Sequence, residues 1–125
     1  MPPKKILVVD DDEVLNRTIR NILEGAGYET VFAFDGHQTI SFAKEAKPDL
    51  VLLDLIMPGR MGDDVYNELK LTTGMHNVPI LIISGAPPED IIKLARARKI
   101  AKEDIFIKPF DYGELLSRVN HYLSG

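Results

Sequence analysis

The sequence predicts an α/β domain built on a parallel sheet of five strands with helices on both faces, and three observations predict it. Five short apolar runs rich in β-branched residues recur along the chain, none alternating polar with apolar residues, as expected of strands buried on both faces. Longer stretches with apolar residues at helical spacing separate them. Strand and helix then alternate from end to end, the pattern of a parallel sheet with crossover helices.

The first strand is KILVV (5–9), and Val14, Leu15, Ile19, Ile22 and Leu23 predict a helix stopped by Gly25 and Gly27. The second strand is ETVFA (29–33), followed by a helix carrying Ile40, Phe42 and Ala43 ahead of Pro48. DLVLL (49–53) precedes a helix with Val65, Tyr66 and Leu69; PILII (79–83) precedes one with Ile91, Ile92, Leu94 and Ala95. DIFI (104–107) is the last strand, and Leu115, Leu116, Val119 and Tyr122 mark the last helix. Right-handed crossovers put helices on both faces of the sheet. Five βα units suit the doubly wound, flavodoxin-like strand order 2-1-3-4-5. Repeats and linkers are absent, so residues 1–125 are expected to form one domain.

Composition narrows the function. A chain of 125 residues with 45% hydrophobic and 27% charged residues has enough material for a core without metal or disulfide staples. A net charge of −4 disfavours direct binding to a phosphate backbone. Cysteine is absent, which excludes thiolate chemistry, and no apolar run reaches the length of a signal peptide or a membrane span. The expectation is a cytoplasmic protein with neither nucleic acid nor membrane as a direct partner.

In an open parallel sheet, ligands bind beyond the carboxyl ends of the strands where strand order reverses, here between the first and third. The first strand ends in Asp10 and Asp11, the third in Asp54, the fourth in Ser84 and Gly85, and the fifth in Lys108 and Pro109. Each alone reads as a turn former, an N-cap or a surface charge. Together they place three carboxylates, a hydroxyl and an ammonium at neighbouring strand ends. Two carboxylates about 5 Å apart repel by roughly 3 kcal/mol at an effective dielectric of about 20, so the cluster calls for a cation. Oxygen ligands without His or Cys nearby favour Mg²⁺ (or Mn²⁺). Such a set suits a phosphoryl group, with an Asp as acceptor and positive charge on the equatorial oxygens. Asp12 and Glu13 read separately, as the start of the first helix.

These residues carry a family resemblance. VVDDD (8–12), LVLLDLIMPG (50–59), ILIISGA (80–86) and FIKPF (106–110) resemble, in order and over essentially the whole chain, the receiver domain of two-component response regulators. The resemblance implies that Asp54 is the phosphoacceptor, charged by a histidine kinase or histidine phosphotransfer protein. It implies that Asp10, Asp11 and Asp54, with the backbone carbonyl of Ile56, hold the metal. Ser84 and Lys108 would bind the phosphoryl group, and the Lys108–Pro109 bond would be cis. Signalling would pass to a downstream protein through the face formed by the fourth helix, fifth strand and fifth helix, from a monomer that dimerises, if at all, on phosphorylation.

Several positions depart from the family pattern. Ile105 stands where members commonly carry an aromatic switch residue, and Phe106 is a poor substitute because adjacent strand side chains face opposite ways. Met61 and Gly62 replace a frequent Asp-Gly, and the fourth helix region lacks the usual Gly-Ala before the last strand. That region carries Lys93, Arg96, Arg98, Lys99 and Lys102, a basic cluster read as a solvated face or as a surface for an acidic partner. Ile56 and Ala86 occupy positions that in the family tune attack by water, and neither side chain hydrogen-bonds, which predicts slow self-dephosphorylation. His37, His76 and His121 are scattered and read as structural or surface residues.

The leading expectation is a signalling module rather than an enzyme, catalysing only its own phosphorylation and dephosphorylation. One alternative is a receiver excised from a larger regulator with an output domain, for instance DNA-binding. An Mg-dependent aspartyl-phosphate hydrolase would need an Asp two residues past Asp54, where Ile56 stands. A flavin binder is disfavoured because the acidic first turn repels a phosphate.

Overall fold

The computed structural model describes residues 2–55, 62–72 and 74–124. Ile56, with the backbone carbonyl expected to bind metal, and Met61 lie outside them.

Strands β1 (Lys5–Val9), β2 (Glu29–Ala33), β3 (Leu50–Asp54), β4 (Ile80–Ser84) and β5 (Ile105–Ile107) form one sheet in the order β2-β1-β3-β4-β5. All four pairings are parallel. Helices α1 (Glu13–Gly25), α2 (Gly36–Ala46), α3 (Gly62–Leu71), α4 (Pro88–Arg98) and α5 (Tyr112–Leu123) alternate with them. This is the doubly wound arrangement expected from the sequence, with the order reversing between β1 and β3.

The strands are apolar throughout because each face is covered. Ile6, Val8, Leu50, Leu52, Leu81, Ile83 and Phe106 pack with Ile19 and Leu23 of α1 and Leu115 and Val119 of α5. Leu7, Val9, Val51, Leu53 and Ile82 face the other way, onto Ile40 and Ala43 of α2, Val65 and Leu69 of α3 and Ile91 of α4. Ile105 packs on this second face and Phe106 on the first, the opposition expected of neighbours on a strand.

Carboxylates start three of the helices. Asp12 accepts hydrogen bonds from the backbone N–H groups of Val14 and Leu15, Asp35 from Gln38, and Asp111 from Glu114. Each such cap is worth about 1 kcal/mol. At the other end of α1 the chain turns at Gly27, whose φ of +98° suits glycine alone.

Three residues of the apolar stripes lie outward instead. Val14 is 72% exposed, in the first turn of α1 beyond the carboxyl edge of the sheet. Ile92 is 50% exposed on the outer face of α4, and Tyr122 turns its hydroxyl to Asp104 near the chain end. A 3-10 turn over Lys102–Asp104 leads into β5, so Asp104 is not part of the strand. Among the described residues no helix is long and apolar enough to cross a membrane.

Candidate functional site

Parallel pairing brings the ends of β1, β3, β4 and β5 to one edge of the sheet, and the polar residues there follow from register. Asp54 closes β3 beside Ile83, one residue before Ser84 at the end of β4. Ser84 lies beside Ile107, one residue before Lys108. Asp10 follows β1 directly, and its N–H donates to the Ala33 carbonyl of β2 at 3.2 Å.

Asp10, Asp11 and Asp54 each offer a carboxylate oxygen within 4.8 Å of the others. Asp10 and Ser84 are fully buried, Asp54 is 2% exposed, and Asp11 faces solvent. Lys108 reaches across the cluster, its Nζ 2.9 Å from Asp10 Oδ2 and 3.0 Å from Asp54 Oδ2. The other oxygen of Asp10 accepts the Asp12 N–H at 2.9 Å. Ser84 Oγ accepts the Ala86 N–H at 3.0 Å, and the Lys108–Pro109 bond is cis.

Burial works against the Lys108 ammonium, but its contacts with Asp10 and Asp54 outweigh that cost and hold its pKa above the usual lysine value. The lysine therefore stays charged at neutral pH. It contributes one positive charge to three carboxylates and meets the fully buried Asp10 Oδ2 at 2.9 Å. Three carboxylate oxygens within 4.8 Å of one another repel strongly enough to favour a further cation beside the lysine. The donors are all oxygens, and one of the three faces solvent, so a hard divalent ion that keeps some of its water fits them.

Of the residues expected at this site, the structure gathers Asp10, Asp11, Asp54, Ser84 and Lys108 at one edge. Ala86 is half-buried two residues beyond Ser84, and Ile105 is half-buried against the core cluster on the α2, α3 and α4 face of the sheet. The basic residues of α4 and the turn after it lie at the surface: Lys93, Arg96, Lys99 and Lys102 are exposed and Arg98 half-buried.

Asn16 escaped the sequence reading. It is fully buried behind the acids, with its amide nitrogen 3.0 Å from the Asp10 carbonyl. Its spacing from Ile19 and Leu23 places it on the inner stripe of α1. A lone amide on a buried stripe is the signal that marks it.

The model of the response regulator receiver domain family matches residues 6–120. The DNA-binding response regulator MtrA of Mycolicibacterium paratuberculosis is 37% identical over 116 residues, covering 93% of this chain and 49% of that protein. The chain thus spans about half the length of the curated relatives it matches. Chemotaxis protein CheY4 of Vibrio cholerae superposes with a TM-score of 0.85 at 25% identity, over 97% of this chain and 99% of that one. The receiver domain of the Francisella response regulator 1452 gives a TM-score of 0.82 at 29% identity, over 97% of each chain.

Proposed function

The chain belongs to the response regulator receiver domain family, a signalling family, and from that premise we propose that Asp54 is its phosphoacceptor. The observation that carries this is the convergence of Asp10, Asp11 and Asp54 within 4.8 Å under the Lys108 ammonium. The donor would be a phosphohistidine on a histidine kinase or phosphotransfer protein. An Asp54 oxygen attacks phosphorus in line, the P–O bond forms as the P–N bond breaks, and the imidazole leaves as the neutral ring after taking up a proton.

Asp10, Asp11 and Asp54, with the Ile56 carbonyl, would hold Mg²⁺ or Mn²⁺. When bound, the ion supplies positive charge beside the transferring phosphoryl oxygens. Lys108 would supply more, already held between two of the acids. Ser84 Oγ, one strand over, accepts the Ala86 N–H and would donate its own hydrogen to a phosphoryl oxygen. Burial of Asp54 keeps bulk water from the acyl phosphate.

Residues 1–125 then act as one cytoplasmic switch domain with two conformations, phosphorylation favouring one of them. Its output passes through the surface of α4, β5 and α5 to a downstream protein, with dimerisation only on phosphorylation. The exposed Lys93, Arg96, Lys99 and Lys102 favour an acidic surface on that protein. A second reading is favoured by the half-length match to MtrA, whose name describes a DNA-binding response regulator. There the same receiver would control an output domain, and the length of the native reading frame decides.

The test is incubation with a small phosphodonor and Mg²⁺ followed by intact-mass measurement. Wild type should gain one phosphoryl group and Asp54→Asn none. Equal gain in both, or none in wild type, removes the assignment.

A further inference from the structure

We propose that Asn16 is a positioning residue that aims the acidic pair at a divalent cation, and that Arg20 and Phe32 lock it in place. The proposal rests on the metal site described above.

Asn16 lies on α1, fully buried, in a position where the helix needs only an apolar contact. A buried amide is costly unless its donors and acceptor are used, and here both ends are. Its Nδ2 donates to the Asp10 carbonyl at 3.0 Å and approaches the carbonyls of Ala33 at 3.3 Å and Val8 at 3.4 Å. Its Oδ1 accepts from Arg20 Nε at 2.8 Å. That second bond fixes which way the amide points, since only a nitrogen can face three carbonyls and only an oxygen can face a guanidinium. Arg20 is held in turn by the ring of Phe32, 3.9 Å beneath its guanidinium carbon.

The consequence falls on Asp11. The Asp10 carbonyl and the Asp11 N–H share one rigid peptide plane, so a clamp on that carbonyl sets the direction in which Asp11 leaves the strand. Asp10 gains a further fixed point from the Asp12 N–H and from Lys108. Asp11 has neither: its exposed carboxylate makes no hydrogen bond or ion pair among the described residues, so backbone aim is all that orients it. Groups one shell behind a metal commonly govern affinity in this way.

Mn²⁺ titration of the full chain, by calorimetry and by the resonance of the free ion, tests this alongside thermal melting of each metal-free variant. Asn16→Ala should bind Mn²⁺ about tenfold more weakly per folded molecule, and Arg20→Leu several-fold more weakly. Because Arg20 acts through Asn16, the double variant should bind no more weakly than Asn16→Ala alone. A purely structural amide would lower the melting point and leave the affinity of the folded protein unchanged. Should Asn16→Ala fail to fold, Arg20→Leu carries the test by itself. If wild type binds Mn²⁺ and Asp11→Asn loses it, yet Arg20→Leu and any folded Asn16→Ala match wild type, the positioning role is wrong and the metal site stands. If wild type does not bind, both fall.

Discussion

Lys108 Nζ stands 3.0 Å from Asp54 Oδ2 across a boundary of two strands, with β4 between their parent strands. The same nitrogen meets Asp10 at 2.9 Å, so one ammonium ties β5 to β3 and β1. Lys108→Met keeps the length of the side chain and removes the ammonium from two buried carboxylates. Breaking a fully buried pair costs about 3–5 kcal/mol, and with Lys108 a quarter exposed a loss of roughly 2 kcal/mol is expected. Urea unfolding without divalent ions measures it. Saturating Mg²⁺ should return part of the loss, because it replaces the missing charge at the same oxygens. Phosphorylation of the variant should be slower even with Mg²⁺ present, and an unchanged rate would remove Lys108 from the phosphoryl-binding set.

The lifetime of the acyl phosphate is a separate question. Ala86 is half-buried next to the site and its methyl offers an approaching water no hydrogen bond. Self-dephosphorylation should be slow, and Ala86→Asn, which adds an amide able to orient water, should speed it. Following intact mass after removal of the phosphodonor, with Mg²⁺ in excess, gives both rates. Decay of wild type within seconds contradicts the prediction.

At the opposite end of the sheet, Asp104 accepts from Arg118 Nε at 2.7 Å and from the Tyr122 hydroxyl at 2.7 Å. This fastens the turn before β5 to α5, and β5 delivers Lys108. Burial first, and then the bond to Asp104, raise the Tyr122 pKa above the usual tyrosine value; burial likewise raises Tyr28 and Tyr66. A raised folded pKa means the unfolded chain loses its proton first. The stabilisation is therefore complete below the unfolded pKa of about 10 and disappears as pH rises through the folded value. Lys108 acts with the same sign, while burial lowers Lys70 and opposes them. Stability should thus decline above about pH 10, and less steeply in Tyr122→Phe. Denaturant midpoints across that range, with the slope compared between the two proteins, give the answer.

Strand positions were legible because a strand covered on both faces leaves no room for polar residues. All five apolar runs became strands, within one residue at β3, β4 and β5. The acids were legible for the converse reason, since Asp10 and Asp54 interrupt apolar runs where a strand must end. Helix faces were less so: Val14 and Ile92 fit the apolar spacing but are 72% and 50% exposed. Spacing reports the phase of a helix, not how far its neighbours extend. Asn16 was missed for the opposite reason, as a polar residue in the buried phase whose partners are backbone carbonyls, which leave no mark in the sequence.

Among the described residues, α4 buries the fewest of any of the five helices. Ile91 is its one buried residue, whereas α1 buries Asn16, Ile19 and Leu23, and α2 buries Gly36, Thr39, Ile40 and Ala43. Its N-cap is Pro87, which supplies no side-chain hydrogen bond, while Asp12, Asp35 and Asp111 cap α1, α2 and α5. Few buried contacts and an uncapped end lower the free energy of local opening. Amide hydrogen exchange should accordingly be faster in α4 than in α1 or α2. Leu94 of this helix and Ile105 of β5 pack against the same core cluster, and Ser84 Oγ holds the Ala86 N–H just ahead of the helix, so α4 begins two residues beyond a contact to the site. Ile91→Ala should unlatch it further, accelerating exchange in α4 with a cost of about 2–3 kcal/mol if the helix is still docked in the reference state. Exchange in α4 as slow as in α1 would show that contacts other than Ile91 secure it.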